Sequence, residues 1–75
     1  MNDLADRINA HLEGGGVIRV ATYARCTYYE PNHAGWFSAG DPRDGGVWVR
    51  SGRKRVYVMP EYVAFGHYEA TASGA

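Results

Sequence analysis

The stretch Val47 to Val58, VWVRSGRKRVYV, constrains the fold more than any other part of this chain. Valine occupies alternate positions on each side of a Ser-Gly-Arg-Lys centre. Alternation with a period of two marks a strand with one buried face. A four-residue connection from Ser51 to Lys54 and a two-residue turn at Gly52-Arg53 both give the same register. It pairs Arg50 with Arg55, Val49 with Val56, Trp48 with Tyr57 and Val47 with Val58. Every valine pair then falls on the core face, and Trp48, Arg50, Arg55 and Tyr57 fall on the other. A slip by one residue would set core positions against solvent positions, so it is disfavoured. Arg53 and Lys54 lie at the tip of this two-faced hairpin.

A lone hairpin is marginal in water and needs a cover. The first segment, NDLADRINAHLE, supplies one. Leu4, Ile8 and Leu12 recur every four residues beside Ala5 and give a helix with one apolar stripe. Asn2 is suited to cap its free N–H groups. Asp3 and Asp6 lie in the first turn, where the helix dipole favours negative charge. Gly14, Gly15 and Gly16 stop it.

VIRVATYARCTYY, from Val17, reads as one alternating strand. Ile18, Val20, Thr22, Ala24 and Cys26 form its core face, and Arg19, Ala21, Tyr23, Arg25 and Thr27 its outer face. EPNHAG breaks it, WFSA is a short second strand, and GDPRDGG is a turn-rich loop. MPEY ends the hairpin, VAFGHY is the last strand, and residues 69–75 read as a frayed tail. One helix followed by about five short antiparallel strands is an α+β pattern. A curled sheet or a small SH3-like barrel would bury the valine faces and take the helix on its open end. Residues 1–75 form a single domain whose core contributes ~3–5 kcal/mol net.

Eight basic and eight acidic residues give no net charge. A dedicated nucleic-acid binder usually carries a basic excess. The charges are nonetheless segregated. Arg50, Arg53, Lys54 and Arg55 hold half of the Lys and Arg, while Asp3, Asp6 and Glu13 cluster in the first segment. A neutral sum of this kind can hide two patches of opposite sign. The single cysteine, Cys26, excludes an intrachain disulfide and fits a reducing cytoplasm. No apolar run approaches the ~18 residues of a membrane span. The N-terminus lacks the regions of a signal peptide. The expectation is a cytoplasmic protein with no membrane partner.

Cys26 with His33 or His67 could form a thiol and base. Cys26 falls on the expected core face, where a free cysteine behaves as a small hydrophobe. His11, His33, His67 and Cys26 lack ligand spacing for a metal. His11 reads as helix surface and His33 as a cap on its turn. The GGG and DGG runs lack the Lys-Ser/Thr ending of a phosphate loop. The sequence therefore gives no catalytic residue, no cofactor and no metal site. The aromatics carry more. Six Tyr, two Trp and two Phe exceed what a 75-residue core can bury. One of Trp36 and Phe37 belongs to the core, and at least one of Tyr28 and Tyr29 lies outside. Tyr23, Trp48 and Tyr57 share the outer set with arginines. These residue types are enriched in interface hot spots and also serve base stacking. Their bland use is to stiffen the sheet through cross-strand pairs. The partner-binding candidates are Tyr23, Arg25, Trp48, Arg50, Arg53, Lys54, Arg55 and Tyr57.

TYAR at Thr22 to Arg25, HAGWF at His33 to Phe37 and VRSGR at Val49 to Arg53 together resemble a family of short proteins encoded by bacteriophages and other mobile elements. The resemblance spans about the middle half of the chain. It implies a context in which small accessory proteins bind and inhibit a host machine, anti-CRISPR proteins being the best-known class. The expectation that follows is a phage-type inhibitor, anti-CRISPR-like, that blocks a host CRISPR-Cas or other effector complex sterically through the basic-aromatic sheet face. The partner would be a host protein or a ribonucleoprotein, inside the host bacterium. The alternative is a nucleic-acid-binding SH3-like module using the same face. Homodimerisation through the helix is a further option for so small a domain.

Overall fold

A computed structural model of the chain describes residues 3–67. The capping role expected of Asn2 and the tail at 69–75 lie outside the described residues. The helix α1 spans Leu4–Glu13 and buries Leu4, Ala5, Ile8 and Leu12, the expected stripe. Asp3 holds the N-cap position but makes no side-chain cap; its carbonyl accepts the Arg7 N–H at 3.0 Å. Gly14 closes the helix with its N–H on the Ala10 carbonyl at 3.0 Å, and Gly15 takes the left-handed conformation with φ 97°.

Six strands follow: β1 Gly16–Ala21, β2 Cys26–Tyr29, β3 Phe37–Ala39, β4 Val47–Ser51, β5 Lys54–Val58 and β6 Val63–His67. Short 3₁₀ turns occupy Pro31–His33 and Pro60–Tyr62. The strands form two three-stranded antiparallel sheets, ordered β2-β1-β6 and β3-β4-β5. This is the expected α+β order, and the ladder does not close into a barrel.

There are six strands rather than five because VIRVATYARCTYY is a hairpin, not one strand. The turn contains neither Gly nor Pro. Thr22 makes it instead. Its N–H donates to the Arg25 carbonyl at 2.9 Å, its hydroxyl donates to the same carbonyl at 3.3 Å, and its Oγ1 accepts the Ala24 and Arg25 N–H groups, each at 3.3 Å. Ile18 then pairs with Tyr29, Val20 with Thr27 and Ala21 with Cys26. Passing through the turn reverses the parity of the alternation. Thr27 and Tyr29 join the inner face, while Cys26 and Tyr28 point out beside Ala21 and Arg19. Cys26 is exposed, which overturns its expected place in the core. Of the adjacent tyrosines, Tyr28 is exposed and Tyr29 is half-buried.

The β4–β5 register is the one derived from the valine alternation, with Ser51 opposite Lys54. Gly52 closes the turn at φ 63°, a conformation that favours glycine. Ile8, Leu12, Ile18, Val47 and Val49 are the largest fully buried side chains, so the core lies where the helix stripe meets both sheets. Phe37 is the buried ring of the WF pair, at 3% exposure, and Trp36 packs at the core margin.

Two polar side chains fix the helix in place. Asn9 Nδ2 donates to the Phe37 carbonyl at 2.9 Å, and Asn9 Oδ1 accepts the Gly35 N–H at 2.8 Å. The amide thereby covers the first carbonyl of β3, an outer strand of its sheet, and an N–H of the turn that leads into it. His11 is not free helix surface. Its Nε2–H donates to the Gly66 carbonyl at 2.6 Å, and its ring meets Phe65 edge-on at 5.2 Å. A Cβ on Gly16 would lie 2.2 Å from that Nε2, so the close approach requires glycine there.

The helix covers only one end of the inner faces. Val56 faces inward as the register requires, yet it is 45% exposed, so it is not the core residue the sequence suggested. Beyond the helix the sheets bound an open cleft of about 260 Å³, lined by Val20, Tyr29, Val49, Val56 and Val58 among others.

Ile8→Ala is expected to cost about 2–5 kcal/mol, comparable to the whole net stability of so small a core. Val56→Ala is expected to change stability by less than about 0.5 kcal/mol. Urea unfolding of the two variants checks this, and equal losses would contradict the one-sided cover.

Candidate binding face

The outer face of the β3-β4-β5 sheet carries the aromatic and basic residues that the alternation assigned to it. The Arg50 N–H donates to the Trp36 carbonyl at 3.2 Å, on the β3 side. Arg50 and Arg55 therefore exchange no ladder bonds, and by alternation neither do Trp48 and Tyr57. Such pairs bring their side chains closest. Trp48 and Tyr57 accordingly stand edge to face with centroids 4.7 Å apart. The Arg55 guanidinium lies 5.1 Å from the Trp48 ring centre, and the Arg50 guanidinium 5.3 Å from that of Trp36. Contacts of this kind are worth about 0.5–1 kcal/mol at exposed sites. They order two cations on rings without neutralising them.

Tyr57 has a second commitment that the sequence did not reveal. Its hydroxyl donates to Asp44 Oδ1 at 2.6 Å and accepts the Asp41 N–H at 2.7 Å. Asp44 Oδ1 also accepts the Gly46 N–H at 2.8 Å. The loop from Gly40 to Gly46 is thus clasped onto the sheet. A Cβ on Gly40 would lie 2.3 Å from the Tyr57 ring, and one on Gly46 2.7 Å from it. The hydrogen bond to the Asp44 carboxylate, aided by burial, raises the Tyr57 hydroxyl above the usual tyrosine range. Asp41 is held below the usual carboxylate range by the Arg43 guanidinium at 2.8 Å and by the Arg43 N–H. Tyr57 offers a partner its ring rather than its hydroxyl.

The eight candidate residues fall into two groups. Trp48, Arg50, Arg55 and Tyr57 lie on this outer sheet face, with Arg53 and Lys54 exposed at the hairpin tip. Tyr23 and Arg25 belong instead to the β1–β2 turn of the other sheet, not to the outer face of a long strand. Tyr23 is fully exposed. Arg25 borders the same cleft as Ser51 and Val56, so the two tips flank its mouth. Among the described residues the ion pair present is Arg43–Asp41; none of Arg25, Arg53, Lys54 and Arg55 takes part in one.

His33 caps its turn as expected. Its Nδ1 accepts the Glu30 N–H at 2.9 Å, which places the proton of the neutral ring on Nε2. The ring is packed edge-on against Trp36 at 4.6 Å and Tyr29 at 5.5 Å. Burial raises the Tyr29 hydroxyl, partly offset by the positive charge of Arg25. Among the described residues no group of three or more His, Cys, Asp or Glu could hold a metal ion, and no helix is long and apolar enough to cross a membrane. Asn9, Asp41 and Asp44 are the polar residues that sequence reasoning missed. The turn-rich GDPRDGG composition was the one signal for the two aspartates, and nothing in the sequence signalled Asn9.

Compared with protein-family models, curated proteins and solved structures, the chain matches none.

Tyr57→Phe is expected to lower the melting temperature and to loosen the Gly40–Gly46 loop. The hydroxyl is raised in the folded state, so its contribution is fully present below 10.0 and is lost as pH rises through the folded value. The melting difference between wild type and Tyr57→Phe should therefore hold constant through neutral pH and shrink in alkali. Identical melts at neutral pH would show that the clasp contributes nothing.

Proposed function

We propose that this chain is a binding protein that acts by occlusion: a phage-type, anti-CRISPR-like inhibitor that covers an acidic surface of a host effector complex. The observation that carries this reading is the ordered outer face beside unpaired cations. Trp48 and Tyr57 are rigid rings, Arg55 is laid over one of them, and Arg53 and Lys54 project from the tip without ion pairs. Rings and arginines of this kind are the usual anchors of protein interfaces, and they lose little side-chain freedom on binding because they are already ordered. Occlusion requires no bond to be made or broken. The resemblance of the TYAR, HAGWF and VRSGR segments to short phage and mobile-element proteins supports the choice of a host machine as target.

Base stacking on Trp48 with phosphate contacts from the tip is the second reading, and the same residues favour it. Salt separates the two. Four tip and face cations neutralising phosphates would give a log–log salt slope of roughly −3 to −4. Aromatic anchoring on a protein predicts a shallower dependence.

The test is capture from a lysate of the host bacterium with tagged wild type and tagged Arg53→Glu/Arg55→Glu. Wild type is expected to retain one effector complex specifically and to inhibit it. The double variant should keep its far-ultraviolet spectrum and lose both properties. Inhibition unchanged in the double variant would remove the hairpin from the contact.

A further inference from the structure

The valine face of the β4–β5 hairpin continues past the part that the helix covers. Val56 is 45% exposed, whereas Val49 opposite it is 1% exposed. Val20 and Tyr29 of the other sheet line the same cleft, with Arg25 at its mouth. β5 and β2 are both outer strands of their sheets, and both border this cleft.

The hydrogen-bond phase shows which backbone groups these edges offer. The Arg50 N–H turns toward β3, so the bonded pairs of β4–β5 are Ser51 with Lys54, Val49 with Val56 and Val47 with Val58. The N–H and C=O groups of Arg55 and Tyr57 therefore point outward from the edge. Beyond the ladder, the backbone of neither residue bonds to any described residue. An apolar inner face, a free backbone edge and a row of cations thus coincide on β5.

We infer that β5 accepts an extended segment of a partner protein as an added strand, with alternate apolar side chains entering the cleft and acidic ones between them. A strand added at β5 continues the pleat. Its residues beside Val56 and Val58 point into the cleft toward Val20 and Tyr29. Its residues beside Arg55 point to the outer face, where Arg55 and the neighbouring tip residue Arg53 lack ion pairs and complement negative charge. A second copy of this chain complements the edge less well: antiparallel pairing of two β5 strands centred on Val56 would set Arg55 beside Tyr57 and Lys54 beside Val58, and it would bring no negative charge to the unpaired cations. The inference rests on the binding reading above and names the chemistry of the segment bound.

The test is fluorescence anisotropy with a labelled octapeptide of alternating Val and Glu, added to the full chain. Binding is expected, and a Val–Lys octapeptide should not bind. Methylating one of the two alternate sets of peptide amide nitrogens should weaken binding by at least about tenfold, and methylating the other set should not. Val56→Glu should abolish binding with an unchanged far-ultraviolet spectrum. No binding of the Val–Glu peptide at about 1 mM would overturn the inference. Equal binding of both methylated forms, or of the Val–Lys peptide, would also overturn it, since charge or greasiness alone would then suffice. If the effector captured from lysate is lost with Arg53→Glu/Arg55→Glu but kept with Val56→Glu, the binding face stands and the added strand falls.

Discussion

The apolar stripe of α1 lies where the two sheets meet, and the rest of the molecule follows from how short that helix is. Ten residues make a helix about 15 Å long. Ile8 and Leu12 reach Ile18 of one sheet and Val47 and Val49 of the other, and these five side chains are fully buried. No second helix is present among the described residues to cover what remains. The inner faces are therefore dry at one end and open at the other. Asn9 and His11 pin the helix by bonding backbone groups at Gly35, Phe37 and Gly66. The apolar wedge sets the spacing of the sheets, and the polar pins set its position.

The open end is where charge and aromatic rings accumulate. Two hairpin tips project there, one carrying Tyr23 and Arg25, the other Arg53 and Lys54. The Trp48–Tyr57 pair stiffens the second hairpin on its outer side, and the Asp44 clasp ties Tyr57 to the loop that precedes β4. Val56 is left part-exposed there, and the exposed cations lack a negative partner among the described residues. A partner that covers it recovers that apolar burial, which is the physical case for placing recognition at this end.

How much of this was legible in the sequence depends on the range of the forces involved. The β4–β5 register could be derived because two neighbouring valine runs permit only one pairing that keeps a single apolar face. The helix could be read for the same local reason. The β1–β2 hairpin could not, because Thr22 forms the turn through its own hydroxyl and the residues on either side still alternate. Reading it as one strand reverses the parity from Cys26 to Tyr29 and places Cys26 in the core when it is exposed. Long-range polar contacts were invisible for another reason. The Tyr57 hydroxyl meets groups 13 and 16 residues away, and Asn9 bonds groups 26 and 28 residues away. No periodicity encodes such contacts. The candidate face was therefore legible as a set of residue types on the β4–β5 hairpin, but the division of its eight members between two sheets was not.

The central claim is that the sheets stay open at the β5 edge in the free protein. Residue-resolved amide hydrogen exchange tests it most directly. The account predicts alternation along β5: slow exchange at Val56 and Val58, whose N–H groups bond to β4, and fast exchange at Arg55 and Tyr57. Slow exchange at all four in the monomeric free protein would mean that the edge is already paired, and it would contradict the open cleft on which the account depends.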